Sequence, residues 1–290
     1  MRTPLISDIK RFSIHDGDGI RTTVFFKGCS LKCVWCHNPE SIDSKPQVAY
    51  FNTKCIHCGE CLNICKNNAH VLIENYHKFN FNLCSKCGDC VKSCAGGAMK
   101  IYGESYSIEE LVSILIKDKK FYDNSNGGVT FSGGECLLYS DFCCELAKKL
   151  KEHNIHIAID TCGNVKKSDF DKVAPYTDLF LYDIKAIDRD THIKCTGKHN
   201  DAILENLIYI DNFNIPIYVR VPYVPGLNDT EIDKIVEFVK PLKNIKRVEV
   251  LAYHNYASSR YDALNIKNTL PDIIPTDVEI KDAQSKFHIK

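Results

Sequence analysis

Cys29, Cys33 and Cys36 stand in the run FFKGCSLKCVWCHNPE with the spacing C-x3-C-x2-C. Three thiols complete neither a structural zinc site, which takes four protein ligands, nor a set of disulfides, which takes an even number. Three thiolates on one centre leave a coordination position open. An open position is the mark of a catalytic metal rather than a structural one. Two further runs follow, Cys55, Cys58, Cys61, Cys65 and Cys84, Cys87, Cys90, Cys94, both spaced C-x2-C-x2-C-x3-C. Eleven of the sixteen cysteines therefore lie between residues 29 and 94. In a reducing compartment such clustering speaks for metal over disulfides. Cys136, Cys143, Cys144, Cys162 and Cys195 stand alone and read as packing residues or exposed thiols.

These residues need elements to hold them. Residues 21–27, RTTVFFK, read as a buried strand that runs straight into the three-cysteine loop. From about 50 to 99 the text is short-looped and cysteine-dense, with no helix of ordinary length. After residue 105 a strand–helix rhythm begins. SIEELVSILIKDKKFY is amphipathic and opens with a capping box, Ser107 and Glu110. Strands GGVTFSGGE, IHIAIDTCG, DLFLYDIKA, IPIYVRVPYVPG and KRVEVLAYH alternate with helices DFCCELAKKLKEHN, SDFDKVAPY, NDAILENLIYIDNF and DTEIDKIVEFVKPL. Six strands in βα order predict a parallel sheet with right-handed crossovers. Periodicity fits both an incomplete (β/α) barrel and an open doubly wound sheet. In either, function gathers at the C-terminal strand ends. Those ends carry the three cysteines, SGGE, DTCG, DIK, RVPYVPG and YH.

Composition narrows the rest. Lys+Arg and Asp+Glu are both 37, so the net charge is zero and no polyanionic partner, nucleic acid or membrane surface, is expected. No apolar run approaches the ~18 residues of a membrane-crossing helix, and MRTPLISDIK lacks a signal-peptide pattern. A cytoplasmic location is expected.

The two four-cysteine runs resemble a two-cluster bacterial ferredoxin, although Lys66 and Ala95 replace the usual proline after each fourth cysteine. That resemblance implies one [4Fe-4S] cluster on Cys55, Cys58, Cys61 and Cys94 and a second on Cys84, Cys87, Cys90 and Cys65. A pair of zinc sites is the alternative, and zinc motifs seldom repeat this three-gap pattern. A segment of ~50 residues with so little apolar text must draw its stability from metal.

The C-x3-C-x2-C motif with Trp35 before its last cysteine is similar to the signature of radical S-adenosylmethionine enzymes. The wider run FSIHDGDGIRTTVFFKGCSLKCVWCHNPES looks like the N-terminal signature of glycyl-radical-enzyme activating enzymes, the pyruvate formate-lyase activase-like family in its longer form. The likeness covers nearly the whole chain. It implies a partial (β/α)6 TIM-like barrel over 1–50 and 100–290, with a ferredoxin-like insert over 51–99. It implies three [4Fe-4S] clusters, the one on Cys29, Cys33 and Cys36 site-differentiated. It implies reductive cleavage of S-adenosylmethionine to a 5′-deoxyadenosyl radical that takes hydrogen from a glycine of a partner enzyme. Trp35, Ser132, Gly133, Gly134, Glu135, Asp160, Thr161, Asp183, Lys185, Arg220 and His254 match cofactor-binding positions. The GGE backbone would meet the methionine amino group, with glycines permitting close approach. Asp160, Thr161 and Asp183 would lie near the methionine and a monovalent cation. His15 and Asp16 would face the target glycine. Asp18 stands where the family has proline, which predicts a looser loop. The partner would be a dehydratase, decarboxylase or lyase, the hydroxyproline enzyme among them; the electron donor would be a flavodoxin or ferredoxin, and the chain a monomer. Two rival readings are a radical enzyme acting on a small molecule and a non-catalytic iron–sulfur electron carrier.

Overall fold

The computed structural model describes residues 3–74 and 76–287. The outermost residues of the expected barrel span and residue 75 of the expected insert lie outside the described residues. The chain opens with β1, Leu5–Ser13, which returns antiparallel on β2, Arg21–Phe26. β3 is Gln47–Tyr50; β4, His70–Ile73, and β5, Tyr76–Phe79, form a hairpin; β6 is Met99–Tyr102 and β7 is Glu104–Ser105. Then come β8, Gly128–Gly133; β9, His156–Thr161; β10, Leu179–Asp183; β11, Ile217–Tyr223; and β12, Ile245–Ala252.

One sheet takes eight of these strands, in the order β12-β11-β10-β9-β8-β2-β1-β7. From β2 to β12 all neighbours are parallel. The order never reverses, so there is no topological switch point and the doubly wound alternative falls. Strands in sequence order, each followed by a helix, wind as a barrel does. β12 and β7 remain the two sheet edges, so the winding is a partial barrel. The core lies between this sheet and its helices: Val24, Phe26, Phe131, Ile159, Phe180 and Val219 pack with Leu146, Phe170, Leu207 and Ile235. Buried parallel strands read as near-continuous apolar runs for this reason.

The capping box forms: Glu110 N donates to Ser107 Oγ at 3.1 Å and Ser107 N to Glu110 Oε2 at 2.8 Å. The helix expected through Tyr122 is broken, however, into Ile108–Leu115, a 3₁₀ turn Ile116–Asp118, and Lys119–Ser125. Asp118 is drawn inward at the break. It accepts from Arg11 Nε at 2.7 Å and Thr22 Oγ1 at 3.0 Å, fixing β1 and β2 to the helix layer. β1 itself escaped the sequence reading because Asp8, Lys10 and Arg11 interrupt its apolar pattern.

The loop between β1 and β2 is tied down, contrary to the expectation from Asp18. Asp18 accepts from Tyr218 Oη at 2.5 Å and pairs with Arg247 at 3.2 Å, while its carbonyl accepts from Arg21. Asp16 accepts from Thr23 Oγ1 at 2.6 Å and from Thr130 Oγ1 through its carbonyl. A charged residue thus anchors, through contacts to β11 and β12, a loop for which proline would supply stiffness.

The cysteine-dense segment leaves the barrel through β3 and returns through β6, antiparallel, with Tyr50 opposite Met99. Its helices are single turns, Glu60–Ile64 and Asp89–Lys92. Each starts from a glycine in the left-handed region, Gly59 (φ 80°) and Gly88 (φ 81°), and two residues earlier stands another positive-φ residue, His57 or Lys86. The two runs therefore repeat in backbone as well as in sequence.

Candidate active site

The loop that follows β2 is held from several elements at once. Gly28 N and Cys29 N donate to Ser41 O (2.8 Å) and Ile42 O (3.0 Å). Lys32 N and Val34 N donate to the carbonyls of Thr196 and Cys195, both at 2.9 Å. Tyr261 Oη donates to Cys36 O at 2.9 Å, and Arg260 reaches His37 O and Glu40 Oε1, both at 3.0 Å. Trp35 packs against Cys195, Val224 and Tyr253. The three cysteines are thus presented by a fixed loop at the C-terminal ends of the strands, where they line a cavity of about 310 Å³. That is the size of a small-ligand site.

Burial pushes the Cys33 thiol up to about 11 and raises Cys36 as well. Cys29 moves the other way, because Cys162 donates a hydrogen bond to its sulfur, outweighing burial. Two buried thiols of raised pKa become thiolates when a metal supplies compensating charge, so the donor set fits a metal centre with three sulfur ligands.

Opposite the cysteines stands a four-charge network. Arg220 donates to Asp160 and, through Nε, to Asp183 Oδ1 at 3.1 Å. Lys185 Nζ donates to Asp183 Oδ2 at 3.0 Å, and Ser132 Oγ donates to Asp160 Oδ2. Burial alone would lower Lys185 and Arg220; Asp183 overcomes it at Lys185, and Asp160 with Asp183 at Arg220, so both cations stay charged. Burial also works to raise Asp183, and the charges of Lys185 and Arg220 together hold it below the ordinary carboxylate range. At Asp160 burial prevails over Arg220 and the carboxyl is raised. Two positive and two negative side chains cancel, and all four carboxylate oxygens have protein partners.

Most of the expected positions meet around this cavity: Cys29, Cys33, Trp35, Cys36, Ser132, Gly133, Gly134, Asp160, Thr161, Asp183, Lys185 and Arg220 all line it, as does Asp16. Glu135 does not. It lies beneath the wall, buried, accepting from Thr161 Oγ1 and Cys162 N at 2.9 Å and from Leu137 N at 3.1 Å, with the Cys162 sulfur 3.0 Å away. Its side chain fixes the DTCG turn to the GGE turn. His254 also lies outside the lining; its ring stacks on His37 at 4.1 Å and on Tyr256 at 4.5 Å. His15 is exposed and apart from the cavity. The glycines also serve the packing of the chain itself. A Cβ on Gly133 (φ 112°) would strike the Phe26 backbone, and one on Gly134 the carbonyls of Gly28 and Ser41. They permit the chain's own close packing beneath the cysteine loop. Cys162, read as a packing or exposed thiol, is buried yet lines the cavity, as do His37 and Tyr253. Cys162 and Tyr253 were findable from their places at strand ends; His37 directly follows the third cysteine and has no motif of its own.

In the segment between β3 and β6 two small cavities separate the eight cysteines across the repeat. Cys55, Cys58, Cys61 and Cys94 line one; Cys84, Cys87, Cys90 and Cys65 line the other. Backbone amides point at sulfurs: Ala69 N to Cys65 (3.3 Å), Ala98 N to Cys94 (3.2 Å) and Lys86 N to Cys84 (3.3 Å). Four sulfurs per cavity with amide donors fit two clusters with crossed fourth ligands.

The sequence profile described as the Radical SAM superfamily matches residues 23–239. The chain is 46% identical over 266 residues to the trans-4-hydroxy-L-proline dehydratase activating enzyme of Clostridioides difficile, covering 90% of this chain and 88% of that one. It is 40% identical over 271 residues to the choline trimethylamine-lyase activating enzyme of Oleidesulfovibrio alaskensis (91% and 87% covered). It is 38% identical over 270 residues to the 4-hydroxyphenylacetate decarboxylase activating enzyme of C. difficile (90% and 85%). Among solved structures, Streptococcus suis SuiB bound to its precursor peptide SuiA superposes with a TM-score of 0.50 at 17% identity, covering 83% of this chain and 39% of that one, a likeness of fold. A three-cysteine loop over a half-barrel mouth, a cysteine-rich insert and these relatives lead to one assignment: the chain is a radical SAM enzyme and belongs to the glycyl radical enzyme activating enzymes.

Proposed function

We propose that this chain activates a glycyl radical enzyme of the trans-4-hydroxy-L-proline dehydratase kind. The observation that carries the choice of partner is the 46% identity to the activating enzyme of that dehydratase, against 40% and 38% for the lyase and decarboxylase activases at equal coverage. A [4Fe-4S] cluster on Cys29, Cys33 and Cys36, when bound with S-adenosylmethionine, supplies one-electron reductive cleavage and hydrogen-atom abstraction from a backbone glycine of the partner.

The chain's own residues orient and insulate. Lys185 uses one of its three N–H donors on Asp183 and keeps two for a ligand carboxylate in the cavity. Ser132, Asp160 and Arg220 are locked to one another, so the wall they form needs no reorganisation when a polar ligand arrives. Trp35 and Tyr253 close the apolar side against water. Asp16, pinned through Thr23, holds a carboxylate at the cavity lining. In the insert, Cys55, Cys58, Cys61 and Cys94 would hold one cluster and Cys65, Cys84, Cys87 and Cys90 the other, three in all. A reduced flavodoxin or ferredoxin would deliver electrons there. We read the enzyme as a cytoplasmic monomer.

The test supplies trans-4-hydroxy-L-proline dehydratase grown with Cα-deuterated glycine to the reduced, reconstituted protein with S-adenosylmethionine. Deuterium in the released 5′-deoxyadenosine, with a glycyl radical signal on the dehydratase, is the expected result. Unlabelled product with no radical on that partner overturns this choice of substrate.

A further inference from the structure

Two histidines lie between the cysteine cavities of the insert, and no ligand role uses them. His77 lines the cavity of Cys55, Cys58, Cys61 and Cys94; His70 lines that of Cys84, Cys87, Cys90 and Cys65. Their rings stack at 5.1 Å, and His70 Nδ1 lies 2.9 Å from His77 Nε2. His77 Nδ1 is 3.8 Å from Cys55 Sγ, and Cys61 Sγ stands 3.5 Å from His77 Nε2 as a weaker second partner. At the far end His70 Nε2 is buried with no partner among the described residues. Both side chains are buried, at 4% and 6% exposure.

A neutral imidazole carries one N–H. The short Nδ1–Nε2 contact consumes one of the pair's two protons, in either direction. If His70 donates to His77, the second proton sits on His77 Nδ1 and faces Cys55. If His77 donates to His70, it sits on His70 Nε2, at the second cavity. One spare donor therefore serves one cavity or the other, never both. A metal ion on Cys61, His70 and His77 together would compete for a cysteine of the first cavity, and the 2.9 Å contact is that of a hydrogen bond.

We propose that His70 and His77 form a tautomeric bridge that gives its one spare N–H either to Cys55 Sγ at the first cavity or, from the unpartnered His70 Nε2, to a sulfur of the cluster the second cavity would hold, favouring whichever cluster holds the added electron. This rests on the reading of the insert as a two-cluster unit. A donor to sulfur stabilises the reduced cluster, because reduction increases the negative charge on its ligands.

The experiment uses the full chain carrying Cys29→Ala, Cys33→Ala and Cys36→Ala, so that only insert clusters remain, with redox titration followed by electron paramagnetic resonance. About eight irons are expected in it. His77→Phe should lower the reduced-to-oxidised ratio of the first cluster roughly tenfold at fixed potential, ~59 mV for one electron, and leave the second unlowered. His70→Phe should do the reverse. His77→Gln, which retains a donor, should restore part of the loss. An exchangeable-proton coupling to the first cluster, seen on transfer to D2O, should vanish in His77→Phe. Equal shifts of both clusters, or none, would overturn the bridge while eight irons keep the cluster reading. Fewer than eight irons before any histidine is changed would overturn both.

Discussion

Asp183→Asn is the substitution that most directly probes the cavity's charge balance. Asp183 accepts from Lys185 at 3.0 Å and Arg220 at 3.1 Å, and those side chains are 8% and 10% exposed. Asparagine keeps the shape and removes the charge. Two buried cations are then left against Asp160 alone. Breaking a buried pair in this way costs about 3–5 kcal/mol, mostly the burial of an uncompensated charge. For a chain of this size each kcal/mol moves the melting midpoint by roughly 2 °C, so a fall of roughly 6–10 °C is expected. The assay is thermal unfolding by circular dichroism on metal-free protein. Asp141→Asn is the control: Asp141 pairs with Lys172 at 2.6 Å, but these side chains are 59% and 41% exposed, so it should change stability by less than ~1 kcal/mol. The double variant Asp183→Asn, Lys185→Met restores charge balance and should recover part of the loss. If Asp183→Asn melts with the control, or the double variant is no better than the single, the charge-balance reasoning is wrong.

Asp18→Ala removes the contacts to Tyr218 and Arg247 and should cost roughly 0.5–1 kcal/mol, since the carboxylate is half-exposed; an unchanged denaturant midpoint would leave the loop anchored by other means. Burial lowers the Lys27 ammonium to about 8 from its ordinary 10.5. Between those values the unfolded chain binds the extra proton, so Lys27 makes stability rise with pH across that window; the wild-type-minus-Lys27→Met difference in denaturation midpoint should climb there, and a flat difference would contradict it. Cys94→Ala combined with Cys55→Ala should lose about four irons in all, and Cys94→Ala combined with Cys84→Ala about eight; the opposite pattern would assign Cys94 to its own run.

Part of this protein is written in short text. Spacing alone marks Cys29, Cys33 and Cys36 as three ligands with a fourth position open, because ligand number is a local property of a loop. The βα rhythm after residue 105 is equally legible, since strand and helix differ in hydrophobic period. β1 was not legible: its charged residues conceal an element that exists through pairing with β2. The long helix from Ser107 was misread for a related reason. Nothing local tells that Asp118 will be claimed by Arg11, 107 residues away.

The site divides along the same line. The sequence by itself determined which residue types stand at the strand ends and that the two four-cysteine runs repeat. Only the tertiary structure decided that Asp160, Asp183, Lys185 and Arg220 neutralise one another. It likewise put Glu135 beneath the cavity wall, turned His254 onto His37, and set His70 against His77. These are matters of which charges and rings share a few ångströms after the strands are laid side by side. Hydrophobic period and cysteine spacing select the fold; long-range contacts between residues with no sequence relation settle what each polar group faces.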